Sequence, residues 1–164
     1  MKKIVLSLSL LLLLFPLASE GLYGFFGIPI NSSFEVTNKI LYDNGFYPSE
    51  LDPDKDTTMI IYSTDTAQFM HNEVISAAGY YSDNLLKTLS FSLFFPSFND
   101  DLNILLLDFL RKYSSLEEIN TYTEGKSVFK KFKDKTSGVY LTLILNAISP
   151  DGIIVIFQLS DVDF

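Results

Sequence analysis

Leu-Leu-Lys-Thr-Leu-Ser-Phe-Ser-Leu-Phe-Phe, residues 85–95, is the stretch that decides the fold class. From residue 88 onward, small polar side chains alternate with apolar ones at Leu89, Phe91, Leu93 and Phe95. An alternation of period two is typical of a strand that has one face against a core and the other face in water. The stretch therefore predicts a half-buried strand.

Two stretches have the pattern of amphipathic helices. In the first, Ser32 and Glu35 form a capping box and Gly45 follows the last turn, which predicts a helix over about residues 33–44. Its inward side chains are expected to be Val36, Ile40 and Leu41. The second helix is expected at about residues 100–113. Its inward side chains are expected to be Leu102, Leu105, Leu106, Phe109 and Tyr113.

The remaining β-rich stretches predict the other strands of a sheet. We expect them at Tyr23–Ile30, Thr57–Ser63, Gln68–Tyr81, Lys126–Lys133, Val139–Leu145 and Ile153–Leu159. For Lys126–Lys133 the alternative is a helix with Val128, Phe129 and Phe132 on one side. The segment Tyr47–Asp56 contains two prolines and is expected to be a polar loop. A further capping box, formed by Ser115 and Glu118, predicts a helical turn at Leu116–Asn120.

This order of elements places the chain in the α+β class. Connections of hairpin length make the sheet antiparallel, with about five to seven strands and both helices packed on one face. The segment from Phe25 to Asn31 resembles the segment from Phe94 to Asn99. This internal echo predicts two related halves, each a helix followed by an antiparallel ribbon.

The N-terminus has the pattern of a secretory signal peptide. Lys2 and Lys3 precede the apolar run Ile4–Leu17, and small residues follow up to Gly21. The run is shorter than the roughly 20 residues of a membrane-spanning helix. We therefore expect a signal peptide at residues 1–21 and one domain at residues 22–164, exported to the periplasm or secreted, without a transmembrane segment once the signal is removed. An uncleaved N-terminal anchor is the alternative.

Composition limits the possible partners. The formal net charge is −8, and an acidic domain is a poor binder of nucleic acids, which require basic surface. Cysteine is absent, which excludes disulfides and lipids attached through cysteine. The 15 Phe and 9 Tyr can supply a large core in their place.

The sequence Phe-Gly-Ile-Pro-Ile-Asn-Ser-Ser-Phe-Glu-Val, followed by Asn-Gly-Phe, lies within residues 24–46. It resembles the opening of small exported bacterial modules of the BamE/SmpA-like or β-lactamase-inhibitor-protein-like kind, in which a strand containing glycine leads into a capped helix that ends in glycine. The Gly-Pro that often follows this helix in the envelope modules is replaced here by Gly45-Phe46. The resemblance implies an α+β fold that binds proteins rather than catalyses, and it assigns no functional residue.

A basic cluster is the main candidate for a binding surface. Lysines are concentrated within residues 126–135, in a chain that is acidic elsewhere, at Lys126, Lys130, Lys131, Lys133 and Lys135. The predicted binding residues are Lys130, Lys131, Lys133, Phe129 and Phe132. They would dock an acidic partner or an anionic envelope surface. The alternative is an edge strand whose lysines prevent aggregation.

No catalytic or metal-binding motif is complete. Asp52-Pro53-Asp54-Lys55-Asp56 begins like a calcium loop, but Thr57 and Ser63 occupy the positions of the required glycine and glutamate. His71 and Glu73 have the same strand parity and would form an acid–base pair, although a lone histidine is more often structural. With one His and no Cys, a zinc site is not expected. We predict no catalytic residue, no metal and no cofactor.

The expected function is binding. The first hypothesis is a non-catalytic module of the bacterial envelope or exterior whose partner is another protein, with the oligomeric state left open. The second hypothesis is a carrier of a small apolar ligand held between helices and sheet. The third is a hydrolase that uses dispersed carboxylates such as Glu73, Asp83 or Asp108.

Overall fold

The computed structural model describes residues 21–53, 57–148 and 152–163. The predicted signal peptide, except Gly21, lies outside the described residues, and so does the central part of the acidic loop, Asp54–Asp56. In chain order the elements are β1 (Gly24–Phe25), β2 (Ile28–Pro29), α1 (Phe34–Asp43), β3 (Phe46–Pro53), β4 (Thr57–Thr64), β5 (Gln68–Phe69), β6 (Asn72–Ser82), β7 (Leu85–Phe95), α2 (Asp100–Lys112), β8 (Leu116–Glu124), β9 (Ser127–Asp134), β10 (Tyr140–Ile148) and β11 (Gly152–Ser160).

The main sheet is antiparallel and larger than the five to seven strands expected. Its strand order is β3-β4-β6-β7-β11-β10-β9-β8, and the short strand β5 pairs with β6, which gives nine strands in the described chain. Strands β1 and β2 form a separate two-stranded hairpin. The α+β class and the antiparallel pairing are confirmed.

The topology divides into two halves of the same design. In each half a helix precedes four long antiparallel strands: α1 precedes β3, β4, β6 and β7, and α2 precedes β8, β9, β10 and β11. The halves join where β7 pairs with β11. The buried helix residues Thr37 and Leu41 correspond to Leu105 and Phe109 at an offset of 68 residues, which is also the offset between Asn31 and Asn99 in the internal echo.

An aromatic core lies between the helices and one face of the sheet. Phe91 and Phe157, which are paired across the junction of the halves, stack with ring centroids 5.1 Å apart and an interplanar angle of 5°. Phe109 of α2 packs on Phe157 with a centroid distance of 4.9 Å. Phe34 of α1 packs edge-on against Tyr81 of β6 at 5.5 Å. Both helices therefore cover the same face.

The first helix differs from the prediction in its cap and in its inward face. Ser33, rather than Ser32, is the N-cap, and its hydroxyl accepts a hydrogen bond from the Val36 N–H at 3.4 Å. Ser32 donates instead to the Pro29 carbonyl. The inward face also differs, since Val36 is 49% exposed whereas Thr37, the next residue, is buried. In contrast, Leu102, Leu105 and Phe109 of α2 are buried, as expected.

Two edge segments were predicted wrongly. The expected polar loop at residues 47–56 contributes most of β3, whose prolines are tolerated because this strand lies at the edge of the sheet. The expected helical turn at residues 116–120 is instead the start of the other edge strand, β8, which pairs with β9. In both segments, pairing with a neighbouring strand outweighs the local signals.

Two predicted single strands are divided by tight turns. The segment 23–30 turns at Phe26 and Gly27, and the segment 68–81 turns at Met70 and His71. All four residues have positive φ. Within the described residues no helix combines the length and the apolarity needed to cross a membrane.

Candidate functional site

One face of the main sheet is left without a helix. Both α1 and α2 pack on the opposite face, and no helix or strand of the described chain lies over this one. We call it the open face. Strand alternation determines which side chains reach it, because successive residues point to opposite sides of a sheet.

A continuous row of apolar side chains crosses four strands of the open face in the second half. Cross-strand register pairs Ile156 with Ile144, Ile144 with Phe129, and Phe129 with Tyr122. We call these four residues the apolar row. The rings of Phe129 and Tyr122 stack with centroids 4.8 Å apart and an interplanar angle of 3°. Water-facing strand positions are usually polar, so this row is unlike an ordinary solvated sheet face.

In the first half of the sheet, the residues that continue the apolar row across the strands are small and polar. There the register continues from Ile156 to Ser92, Ser76 and Ser63. Along this one line, small hydroxyl side chains replace the bulky apolar ones, although Met59 and Tyr80 lie elsewhere on the same face of the first half and are 42% and 39% exposed. A neighbouring pair, Phe94 and Ile154, extends the apolar part, and Phe94 is 46% exposed.

The open face also carries two of the predicted lysines. Lys131 and Lys133 have the same strand parity as Phe129. The Lys131 Nζ lies 3.1 Å from the Asp163 carboxylate near the C-terminus, and the Lys131 side chain is only 16% exposed. The Lys133 Nζ lies 5.2 Å from the centroid of the Tyr140 ring. Both cations therefore have partners within the domain.

The other two predicted binding residues lie on the opposite face of β9. Phe132 is 5% exposed and belongs to the core, which corrects the prediction that it shares a binding surface with Phe129. Successive residues of a strand point to opposite faces, so two residues three positions apart lie on different faces. The Lys130 Nζ lies 3.4 Å from the Glu118 carboxylate of β8. The five predicted residues are therefore close in sequence but do not form one surface.

Strand β9 is not an edge strand, because β8 pairs with it on one side and β10 on the other. Two lysines form ion pairs with the acidic edge strand: Lys130 of β9 pairs with Glu118, and Lys135, one residue beyond β9, pairs with Glu117. Hydrogen bonds from Thr121 and then Lys130 lower the pKa of Glu118. Much of the basic charge in this region is thus balanced locally, which the linear sequence did not reveal.

A groove of about 1120 Å³ lies beside α2. Its apolar wall includes Phe26, Phe69, Met70, Phe94, Ile104 and Leu105. The polar groups at this groove include His71, Glu73, Asp101 and Asp108. Two carboxylates of the hydrolase hypothesis, Glu73 and Asp108, thus line one groove, whereas Asp83 lies in the turn between β6 and β7.

The turn at the edge of this groove has an unusual conformation. Met70 has φ 49° and His71 has φ 67°, and Asn-Gly or Asp-Gly is the usual pair in such a turn. Bulky residues with positive φ are conformational outliers. Among the residues described, no group of three or more His, Cys, Asp and Glu side chains is arranged to hold a metal ion.

Comparison with protein-family models, with curated proteins and with solved structures produced no match.

Proposed function

We propose that this chain is an exported, non-catalytic module that binds another protein, with the apolar row at the centre of the contact surface. The observation that carries the proposal is the row itself, in which Ile156, Ile144, Phe129 and Tyr122 lie side by side on a sheet face that no helix covers. Tyr122 is 39% exposed and the other three side chains are partly exposed, and contiguous apolar side chains that water can reach are typical of interaction sites.

The composition of this surface fits a protein partner. Binding energy in protein interfaces is concentrated in a few central residues, and aromatic side chains are enriched among them. The stacked pair Phe129 and Tyr122 provides such a centre. Lys133, which is exposed beside the row, favours a partner that presents apolar side chains next to a carboxylate.

The test compares substitutions on the two faces of one strand. The full chain, Phe129→Ser and Lys130→Glu are each cross-linked to native envelope and medium proteins and recovered under equal conditions. Lys130→Glu is the matched control, because Lys130 lies on β9 but faces away from the open face. We expect one protein to be captured by the full chain and by Lys130→Glu and lost by Phe129→Ser. Equal capture by all three would refute the proposed surface, provided that circular dichroism shows each variant folded.

The groove beside α2 supports a second candidate, a carrier of a small apolar ligand. Its size and aromatic wall suit such a ligand. Ile104 lines the groove and is 56% exposed, and Leu107 lies on the same helix, outside the groove lining, and is 54% exposed. We expect Ile104→Asp, but not Leu107→Asp, to abolish the fluorescence of a bound apolar dye. Absence of dye binding by the full chain would exclude this candidate.

A further inference from the structure

Asp134, at the end of β9, is a fully buried carboxylate held by four donors. Oδ2 accepts hydrogen bonds from the Leu22 N–H at 2.9 Å and the Ser115 hydroxyl at 2.5 Å. Oδ1 accepts from the N–H groups of Thr136 at 2.8 Å and Ser137 at 2.7 Å. The exposed fraction of Asp134 is 0%. Four hydrogen bonds directed at one carboxylate indicate a site built for negative charge.

The charge of Asp134 has no cationic partner in the part of the chain that the structure describes. The neighbouring Lys135 pairs with Glu117 of β8, and Lys133, on the other side of Asp134 in β9, lies over Tyr140. No ion pair of the described residues includes Asp134. A buried carboxylate without a counter-ion is unusual, because removing the charge from water is costly. The site is therefore complementary to one further positive charge.

Leu22 lies where that charge would be needed. Its side chain is 0% exposed, and the Ser137 hydroxyl donates to its carbonyl oxygen at 2.7 Å. Residue 22 is thus held at its N–H by Asp134 and at its carbonyl by Ser137. Leu22 is also the first residue after the expected signal peptide, whose last residues include Ser19 and Gly21 with a spacing suited to leader cleavage.

We propose that the chain is processed between Gly21 and Leu22 and that Asp134 is the receptor for the new α-amino group. Hydrolysis of this peptide bond consumes one water and leaves a carboxylate on Gly21 and an ammonium group on Leu22. The ammonium nitrogen is the atom that already lies 2.9 Å from Asp134 Oδ2. Processing thereby converts a neutral amide donor into a buried ion pair, which is a stronger interaction. This inference rests on the export part of the proposed function and is independent of the binding surface.

The first measurement identifies the N-terminus made in a cell. The full chain is expressed in an exporting bacterium, and the first residue of the exported product is determined by mass spectrometry. We expect Leu22. Export with cleavage at any other bond would overturn this inference and leave the export proposal standing, whereas a chain that stays in the cytoplasm uncleaved would overturn both.

The second measurement asks whether the new amino group is held by Asp134. The exported product is treated with an acetylating reagent at mildly acidic pH, and labelling of Leu22 is followed with time. We expect labelling at least about 10-fold slower than in the unfolded chain, because the group is buried and paired. Asp134→Asn should restore fast labelling. Equal rates in the folded and the unfolded exported product would overturn the inference.

A second variant keeps the test valid if Asp134→Asn fails to fold. One alanine inserted between Gly21 and Leu22 moves the amino group away and leaves Asp134 and the amide of Leu22 in place. This insertion should expose the amino group to the reagent and lower the melting temperature by about 4–8 °C. A product with the insertion that labels slowly and melts at the same temperature as the original would overturn the inference.

Discussion

Replacement of Asp134 by alanine is expected to destabilise the domain by about 2–4 kcal/mol. The N–H groups of Thr136 and Ser137 lie in a partly exposed turn, so water can replace the carboxylate there. The Leu22 N–H is buried and the Ser115 hydroxyl is partly buried, and each costs about 1–3 kcal/mol when left without its acceptor. Relief from burying a charge offsets part of this loss. An ammonium group at Leu22 would increase the cost.

The loss of stability in Asp134→Ala should depend on pH, and the hydrogen bonds to the carboxylate determine whether it grows or shrinks in acid. Burial opposes ionisation, but the hydrogen bonds from Ser115, Leu22, Ser137 and Thr136 outweigh it and lower the pKa of Asp134. A carboxyl group whose pKa is lowered by folding contributes stability above its unfolded pKa, about 3.9, and loses it as the pH falls through the folded value. The difference between wild type and Asp134→Ala should therefore be full at neutral pH and shrink below about pH 4.

Urea unfolding followed by circular dichroism measures this difference at neutral and at acid pH. Asp108→Ala is a suitable control, because Asp108 is half exposed and pairs with Arg111 at 3.6 Å. An exposed pair of this kind contributes at most about 1 kcal/mol. If Asp134→Ala unfolds like the control at neutral pH, or if its deficit is unchanged in acid, the assigned role of the carboxylate is wrong.

Three further changes test the core and the turns. Phe157→Ala should cost about 3–5 kcal/mol, because Phe157 is fully buried and stacks on Phe91 where the two halves meet; urea unfolding should show a single transition, and separate transitions for the halves would contradict a shared core. His71→Gly should raise the free energy of unfolding by about 1 kcal/mol, because glycine adopts φ 67° without strain; a lower melting temperature would show that the histidine ring contributes more than the strain. Gly24→Ala should disrupt the hairpin of β1 and β2, since a Cβ there would lie 1.8 Å from the Ile28 carbonyl oxygen; an unchanged melting temperature would argue against that close approach.

The local sequence pattern was sufficient to predict the helices and strands whose hydrophobic periodicity is strong. The strand at residues 85–95 has the predicted bounds, and the second helix ends one residue before its predicted end. Each has a long run of one period, so local preference and burial favour the same structure. Local pattern failed at β3 and β8, where prolines and a capping box are outweighed by pairing with a neighbouring strand. Such pairing depends on residues that are distant along the chain.

The candidate site was predictable only in part. The lysines and Phe129 were identified from composition, and the alternation of β9 was sufficient to separate Phe132 from them. The glutamates that balance the lysines come from β8, whose strand character was not recognised. The groove depends on a turn at Met70 and His71 that lacks the usual turn residues.

The sequence by itself determined which side chains share a face of each strand or helix, because the periods of 2 and 3.6 residues are local properties of the backbone. Only the tertiary structure decided which strands are neighbours, because pairing depends on register between distant segments. The apolar row therefore arises from four strands that individually show no such site. For the same reason Leu22 meets Asp134, which is 112 residues away in sequence.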